Sequence, residues 1–509
     1  MASTIDVNKL LPLFQAATPA ERARYAGILA VSLFSVYFLS TSIYNLFFHP
    51  LAKFPGPFLA RSSLLWRIWK SMRGRFHRAI EREHRRYGPV VRISPNELSF
   101  ASVASWKDIY GHAVGGKSTM IKSEFYEMYG SGFDSLCIGS ERDPKNHNRM
   151  RKSLSAAFST KALSEQEFII QKCVDGLIAQ LGRKGTQPKG VNMTKWYEMF
   201  AFDVLGEMAF GESFHCVESG EPHFWSELVT KHLFFITVLD NLSRYPLLVS
   251  LGKVFLPWLT VSVRDKHTGY TRAKVAQRLA AKTSRKDFLT NLIGKVESGE
   301  VNTEELTAHS STLVIAGGET IATFFAAVTY YLLTTPEAYG KLRMEIRARY
   351  KSYDEIDSTT AQQLPYLQAV ISEGLRMYPP GAQGFPRVCP GAMIDGQYVP
   401  AGAEVYTSAW TVTHDPQYFH EPMSFKPERW LDPNCADVKD ASQPFSLGPR
   451  GCLGRNFAYV EMSLLLAKLH YMYDMELLNK KLDWEGNSHM HVMWWKPALN
   501  VHFTRRVGA

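Results

Sequence analysis

The chain has few cysteines and no paired cysteine motif. Its six cysteines are scattered over 509 residues, and no two of them are separated by two residues. This spacing excludes a zinc knuckle built from paired cysteines and a dense disulfide framework, and it fits a reducing compartment. The sequence also lacks an internal repeat, a low-complexity tract and any stretch typical of a linker between two globular parts. We therefore expect one large domain.

Clustered positive charge is absent although the formal net charge is +10. The basic residues are dispersed, and no basic-aromatic run or nucleic-acid motif groups them. Nucleic acid is therefore not the predicted partner, and a cationic face for an acidic electron-donor protein and for anionic lipid fits better. Hydrophobic residues make up 45% of the chain, which is ample for a large core.

Charged side chains are also missing from Ala26 to Phe48. As a helix these residues would span about 35 Å, enough to cross a bilayer. The stretch is too long and starts too late for a cleaved signal peptide. Basic residues follow it, whereas the preceding tail is nearly balanced, so the positive-inside bias places the following domain in the cytosol. The predicted division is a lumenal tail (1–25), a transmembrane anchor (26–48), a Pro/Gly hinge (49–57) and a catalytic domain (58–509).

One ten-residue motif near the C-terminus carries the strongest chemical signal. The segment FSLGPRGCLG matches Phe-x-x-Gly-x-Arg-x-Cys-x-Gly, a pattern typical of a loop that presents a cysteine thiolate to a haem iron. Gly448 and Gly454 allow a tight turn and close approach of the backbone, and Arg450 can neutralise a haem propionate. Phe445 can cover the sulfur. Cys452 precedes a predicted helix, whose N-terminus favours thiolate; the alternative is an inert buried cysteine.

With this motif the chain resembles the cytochrome P450 family of haem-thiolate monooxygenases. The segment FFHPLAKFPGP after the anchor is similar to microsomal members from fungi. The resemblance implies a mainly α fold with small β-sheets, an α-rich prism around a buried haem b, plus one N-terminal transmembrane helix. It also implies that NADPH supplies electrons through a flavoprotein reductase, with cytochrome b5 as a second candidate donor.

A long helix is predicted from Thr303 to Thr335, where Pro336 ends it. Asn302 and Glu305 have the spacing of a capping box. The middle of the helix reads AGGET, and each of its two glycines costs about 1 kcal/mol relative to alanine. Such a cost inside a helix indicates a kink or the close approach of another group.

The AGGET segment matches the motif with which the family's distal helix crosses the haem. By that resemblance the Thr320 hydroxyl holds water and dioxygen, and Glu319 connects the site to bulk protons. Ile321 departs from the pattern, because many members have a second Thr or Ser there. The alternative is a packed helix with a solvent-facing glutamate.

A third motif is the Glu-x-x-Arg pair formed by Glu373 and Arg376, spaced to meet on one helix. Alone, such a pair is weak evidence, since similar pairs are common on exposed helices. The family joins it to a later arginine, here Arg429, in a buried network that fixes the haem-binding core. The implied role is structural.

Three further residues are candidates for the haem propionates by resemblance. His147 and Arg151 occupy the family's Trp-x-x-x-Arg positions, with His in place of Trp, and Arg387 lies in an extended segment that passes the haem. The face nearest the thiolate would bind the reductase, and four basic residues are candidates for that face: Arg149, Arg151, Lys152 and Arg455. An ordinary surface or packing role is the alternative for each of them.

The function implied by the resemblance is insertion of one oxygen atom from O2 into a lipophilic small molecule of secondary metabolism. The enzyme would sit in the endoplasmic reticulum membrane as a single-pass protein with its catalytic domain in the cytosol. The apolar region from Phe224 to Leu259 would cover the substrate pocket. The alternatives are a same-fold enzyme for oxidative coupling, dehydration or isomerisation, a haem sensor without turnover, and a membrane-tethered interaction protein without haem.

Overall fold

The predicted fold class, mainly α with small β-sheets, is confirmed. The computed structural model describes residues 18–113, 119–130, 132–245, 265–281 and 287–507. Within these ranges, most residues are helical and the strands form four small sheets. Where it is described, the region from 144 to 378 consists mainly of helices.

The α-helices are numbered here in chain order. They are α1 (Pro19–Ile43), α2 (Phe58–Ser62), α3 (Leu65–Met72), α4 (Phe76–Tyr87), α5 (Val103–Tyr110), α6 (Pro144–Ser155), α7 (Thr160–Gln180), α8 (Met193–Leu205), α9 (Cys216–Ser219), α10 (Phe224–Leu242), α11 (described over 265–280), α12 (Thr290–Glu297), α13 (Thr303–Thr334), α14 (Pro336–Arg349), α15 (Ser358–Ala361), α16 (Pro365–Met377), α17 (Ala409–Thr413), α18 (Arg455–Met472) and α19 (Trp484–Asn487). Single π-helical turns extend α1, α7 and α8.

The strands are β1 (Val90–Ser94), β2 (Glu97–Phe100), β3 (Ile121–Lys122), β4 (Val191–Asn192), β5 (Arg387–Val388), β6 (Ala392–Ile394), β7 (Gln397–Val399), β8 (Glu404–Thr407), β9 (Tyr473–Leu477), β10 (His489–His491), β11 (Met493–Trp495) and β12 (Asn500–Arg505). The largest sheet has the order β1-β2-β8-β5-β3, in which only β2 and β8 are parallel. The other sheets are β4-β12-β9, β6-β7 and β10-β11. The sheet brings segments from both halves of the chain to one edge of the site described below.

The N-terminal helix begins earlier than the predicted anchor. α1 starts at Pro19 because Thr18 and Glu21 form a capping box, in which the Thr18 N–H donates to Glu21 Oε2 at 2.8 Å. With its π turn, the helix runs to Phe48, is apolar, and is not buried by the rest of the protein. In the described residues α13 is also long and apolar enough to span a membrane, but it lies in the core. α1 is therefore the segment compatible with a membrane anchor or a signal sequence.

The central helix α13 confirms one half of the predicted capping box. The Asn302 side chain accepts the Glu305 N–H at 2.6 Å. The Glu305 carboxylate does not return to the backbone of Asn302, as a capping box requires, but pairs with Arg149 at 2.8 and 3.0 Å and approaches His309. A bidentate guanidinium is the stronger partner for a carboxylate.

The two adjacent glycines of α13 mark a close approach, and the helix is α-helical throughout. A Cβ atom on Gly317 would lie 2.9 Å from Leu205 Cδ2 on α8, and one on Gly318 would lie 3.4 Å from Leu205 Cδ1. Of the two predicted explanations, a kink or a close approach, the second is the one observed. In the predicted lid region, α10 covers Phe224–Leu242, while 246–264 lie outside the described residues.

Candidate active site

A cavity of about 360 Å³ lies between α13 and the loop that precedes α18. Cys452 lines one side, and Ala316, Gly317 and Thr320 line it from α13. The described lining is mostly apolar, with side chains such as Phe324 among it, and polar groups gather at one edge. The structure thus brings together the two strongest sequence motifs, which are separated by more than 100 residues of chain.

The cysteine loop is held by its own backbone. The Cys452 N–H donates to the Phe445 carbonyl at 2.8 Å, and Gly448 has a φ of +66°, a conformation that favours glycine. A Cβ on Gly448 would lie 2.2 Å from the Tyr110 carbonyl oxygen, so this glycine serves the packing of the loop and lies outside the described cavity lining. Gly454 does line the cavity, and a Cβ there would meet only a Phe158 ring carbon at 4.0 Å.

The thiol of Cys452 is accessible from the cavity. Burial within the protein raises its pKa, while the Gly454 N–H and the positive charges of Arg151 and Arg455 act in the opposite direction. The Gly454 N–H at the helix N-terminus and the two arginines thus favour thiolate, and burial opposes it. A bound metal would reverse this balance, since a coordinating thiol is deprotonated.

The polar edge of the cavity is cationic, and one of its members was missed by sequence reasoning. Lys122 on β3 lies opposite Arg387 on β5 in the antiparallel register, and both line the cavity. The Lys122 ammonium donates to the carbonyls of Ile138 and Gly139 at 2.6 and 2.7 Å. Burial, aided by Arg450 and Arg387, lowers the pKa of Lys122 to about 7. Nothing in the two-residue strand or its spacing signals this position.

The other predicted propionate ligands lie at the same edge. Arg450 lines the cavity and donates to two backbone carbonyls of residues 141–142, at 2.9 and 2.6 Å. Arg151 lines it and donates to the Gly451 carbonyl at 2.7 Å, which ties α6 to the cysteine loop. His147 is buried in the lining, and desolvation lowers its pKa to about 3, so its ring is neutral at neutral pH.

The two predicted relay residues lie on different sides of α13. Thr320 lines the cavity, and its hydroxyl donates to the Ala316 carbonyl at 2.7 Å. Glu319 lines a second cavity, where it pairs with Lys496 at 3.2 Å. Lys496 comes from the segment after β11 and was missed by sequence reasoning, because a lone lysine near the C-terminus carries no motif.

The structure brings Glu373, Arg376 and Arg429 into one buried cluster. Arg376 makes two hydrogen bonds of 2.8 Å to the Glu373 carboxylate, and Arg429 donates to it at 3.1 Å. The Trp430 ring N–H adds a bond of 2.9 Å, and Asp437 pairs with Arg429. Asp437 and Trp430 were missed; Asp437 completes the charge balance of the cluster.

The candidate residues for a reductase-binding face differ in whether their charges are already paired within the protein. Arg149 is paired with Glu305 and therefore does not present an unmatched charge. The Arg455 guanidinium lies 5.9 Å from the Phe445 ring centre, beside the cysteine loop. Lys152 is exposed on α6.

Comparison with known proteins identifies the family. The family model "Cytochrome P450" matches residues 55–500. "Cytochrome P450 monooxygenase ORF9" of Penicillium roqueforti is 62% identical over 468 residues, 92% of each chain. "Cytochrome P450 monooxygenase BOT4" of Botryotinia fuckeliana is 52% identical over 474 residues, 93% of this chain and 90% of the relative. The chain belongs to the cytochrome P450 family and is an oxidoreductase that incorporates oxygen.

The residues of the cavity fit the haem that membership of this family implies. A single thiol faces an apolar space, and Gly454 leaves room in front of it. Four cations (Lys122, Arg151, Arg387 and Arg450) meet at one edge. The only carboxylate in the described lining, Glu461, owes its raised pKa to burial alone, so these cations do not neutralise it. Glu141, a carboxylate that acts on both Lys122 and Arg450, lies outside the lining. Charges that face an apolar cavity without a counter-charge are costly, and an anionic ligand such as the haem propionates would supply one inside it.

Proposed function

We propose that this chain is a haem-thiolate monooxygenase that inserts one oxygen atom of O2 into a lipophilic small molecule of secondary metabolism. An NADPH-dependent reductase supplies the electrons. The observation that supports the proposal most strongly is the cavity that joins Cys452 to the Ala316–Thr320 segment. The fungal monooxygenases among its relatives support the same reaction class.

In this proposal the cysteine loop and the cationic edge hold haem b. When bound, the haem supplies the iron centre at which dioxygen is activated. Cys452 would hold the haem iron through its thiolate, and the hydrogen bond from its own N–H to the Phe445 carbonyl sets its position. The propionates would lie against Arg387 and Arg450, with Lys122 beside them and neutral His147 as a ring N–H donor.

The distal residues would position substrate and protons. The apolar lining of the cavity excludes water and suits a lipophilic substrate. The Thr320 hydroxyl bonds to the Ala316 carbonyl and can turn toward the cavity to hold a proton donor there. Glu319 would exchange protons with solvent from the opposite side of α13. The cluster around Glu373 would act structurally, by fixing the elements that surround the haem.

The proposed location is the endoplasmic reticulum membrane, with α1 as a single-pass anchor and the catalytic domain in the cytosol. α1 is apolar and unburied, which supports an anchor. Lys152 is exposed on α6 next to Arg151, which contacts the cysteine loop; this supports a contact with the reductase, or with cytochrome b5, through complementary charge.

The test is the absorption spectrum of the reduced, carbon-monoxide-bound protein in isolated membranes. Wild type and Cys435→Ser should show the band typical of thiolate-ligated haem, whereas Cys452→Ser should lose it. Cys435 is a suitable control because it lies outside the described cavity lining. A wild-type spectrum without the thiolate band would contradict the proposal. With reductase, NADPH and labelled dioxygen, a product that gains one labelled oxygen separates monooxygenation from coupling, dehydration or isomerisation.

A further inference from the structure

A second cavity lies behind α13. It has a volume of about 620 Å³ and is lined from α8, α10, α13 and the segment that includes β11. Gly318 and Glu319 line this cavity, whereas Gly317 and Thr320 line the haem cavity. The glycine pair is therefore a thin part of the wall between the two cavities.

A buried lysine joins two carboxylates in the second cavity. Lys496 Nζ lies 3.2 Å from Glu319 Oε2 on α13 and 3.3 Å from Glu198 Oε1 on α8. The same ammonium lies 3.3 Å from Thr323 Oγ1 and 3.4 Å from the Trp494 carbonyl. The Lys496 side chain is 1% exposed, against 32% for Glu198, so the ammonium is fixed inside and Glu198 faces outward.

The charges of this triad do not balance. Two ionised carboxylates and one ammonium leave one negative charge, and burial makes an unmatched charge costly. Other charged groups line the cavity, Lys195 on α8 and the pair Glu227 and Lys231 on α10. The latter two are 3.8 Å apart and largely exposed, so they neutralise each other at the rim. A proton on one member of the triad is the simplest way to remove the excess charge.

The carboxyl group of Glu198 is the natural place for that proton. Burial raises its pKa, and the negative charge of Glu319 adds to the effect, while Lys496, which contacts Glu198, and Lys195, which is exposed on α8, act in the opposite direction. The two carboxylates in turn raise the pKa of Lys496, so the lysine stays charged. A proton on Glu198 leaves Lys496 and Glu319 as a matched ion pair.

We propose that Lys496 is a positioning residue for proton supply. It holds the Glu319 carboxylate toward the second cavity, beside a protonated Glu198. This inference rests on the proposed monooxygenase function. In the first step the proton of Glu198 passes to the Glu319 carboxylate within the triad. In the second step Glu319, now protonated, gives that proton up toward Thr320, which leaves both carboxyl groups ionised. Glu198 then takes a proton from solvent through the second cavity. Protons thus enter from behind α13 and bypass the substrate.

The first test measures protonation directly and does not depend on turnover. Infrared difference spectra of the purified, haem-loaded protein at neutral pH report the carbonyl stretch of protonated carboxyl groups. We expect Glu198→Gln to lose one such band relative to wild type. Glu461, whose pKa burial also raises, is unchanged in Glu198→Gln, so any band of its own cancels in the comparison with wild type.

The second test measures coupling of electrons to product. With reductase and a substrate, Lys496→Met should lower the rate of oxygenated product formation by roughly a hundredfold, the lower end of the effect of a positioned proton donor. NADPH consumption should continue, with hydrogen peroxide as product, and the solvent deuterium isotope effect should increase. Lys496→Arg should restore much of the coupling because it keeps the charge. Lys480→Met, an exposed lysine on the same C-terminal region, is the matched control.

Two results would overturn the inference. One is an unchanged infrared spectrum in Glu198→Gln, which would place no proton there. The other is wild-type coupling and isotope effect in a haem-loaded Lys496→Met protein. If wild type itself forms no oxygenated product, the proposed function fails, while the infrared test still decides whether the triad stores a proton.

Discussion

Replacement of Glu373 by alanine should prevent the protein from holding haem. The carboxylate accepts two bonds from Arg376, one from Arg429 and one from the Trp430 ring, and it also accepts the Lys426 backbone N–H at 2.9 Å. Both Glu373 and Arg376 are fully buried. The substitution therefore leaves Arg376 charged in the interior without its carboxylate.

The size of the effect follows from the geometry. Removing one partner of a buried ion pair costs about 3 to 5 kcal/mol, because the remaining charge stays unpaired. Here Arg376 keeps only neutral acceptors, among them the carbonyls of Thr413 and Pro422 at 2.7 and 2.8 Å, whereas Arg429 keeps Asp437. The Arg376 guanidinium is left without a carboxylate partner, so the free energy of unfolding should fall by about 3 to 5 kcal/mol. Each 1.4 kcal/mol changes the ratio of folded to unfolded protein roughly tenfold. The whole free energy of unfolding of a domain is only about 5 to 15 kcal/mol.

The assay is the amount of haem bound per protein, read from the reduced carbon-monoxide spectrum and from immunodetection of the chain in the same membranes. Glu373→Ala should give chain with little or no haem. Glu337→Ala, which removes an exposed partner of Lys341, should match wild type, because surface pairs contribute at most about 1 kcal/mol. Glu373→Ala protein with wild-type haem content and thermal stability would refute the reasoning.

Two further substitutions test the haem cavity. Lys122→Met should speed the transfer of haem to an acceptor protein by roughly ten- to a hundredfold, since a hydrogen bond to a charged group contributes about 1.5 to 3 kcal/mol. Lys107→Met, at an exposed lysine, is the control. An equal rate of haem transfer in the two variants would contradict a contact between Lys122 and a propionate. Gly317→Ala should lower the melting temperature of the haem-loaded protein because its Cβ overlaps Leu205, at a cost of about 1 to 3 kcal/mol. A second change, Leu205→Ala in the Gly317→Ala protein, should remove that overlap. If the single Gly317→Ala protein were more stable than wild type, the gain in helix propensity would outweigh the cost of the overlap.

The parts of the site that could be predicted are those whose residues lie close together in sequence. The Cys452 loop is built from its own backbone hydrogen bonds, so ten residues carry all of its signal. The Glu373–Arg376 pair is likewise set by helical spacing. The helix bounds of α13 followed from Asn302 at one end and Pro336 at the other. Local geometry and local sequence agree in each case.

The parts that could not be predicted depend on chain segments brought together only by the fold. Lys122 reaches the cavity because β3 pairs with β5, more than 250 residues later, and its strand is two residues long. Lys496 meets Glu319 across 177 residues of chain, from a loop with no motif. The partner of Glu305 was wrongly predicted for the same reason, since Arg149 competes from a distant helix. Periodicity and spacing carry no information about such encounters.

The cluster around Glu373 and the cationic edge of the haem cavity differ more in their charge balance than in their burial. The cluster around Glu373 contains two acids, Glu373 and Asp437, and two arginines, so it is neutral without any ligand. The cationic edge has no such match in the described lining. Burial, aided by Arg450 and Arg387, lowers the pKa of Lys122 there. Loss of one member leaves the cluster around Glu373 with an unmatched charge. Loss of one cation instead lowers the repulsion within the cationic edge as long as no anion is bound there. Glu373→Ala should therefore harm the fold itself, while Lys122→Met should harm only the retention of haem.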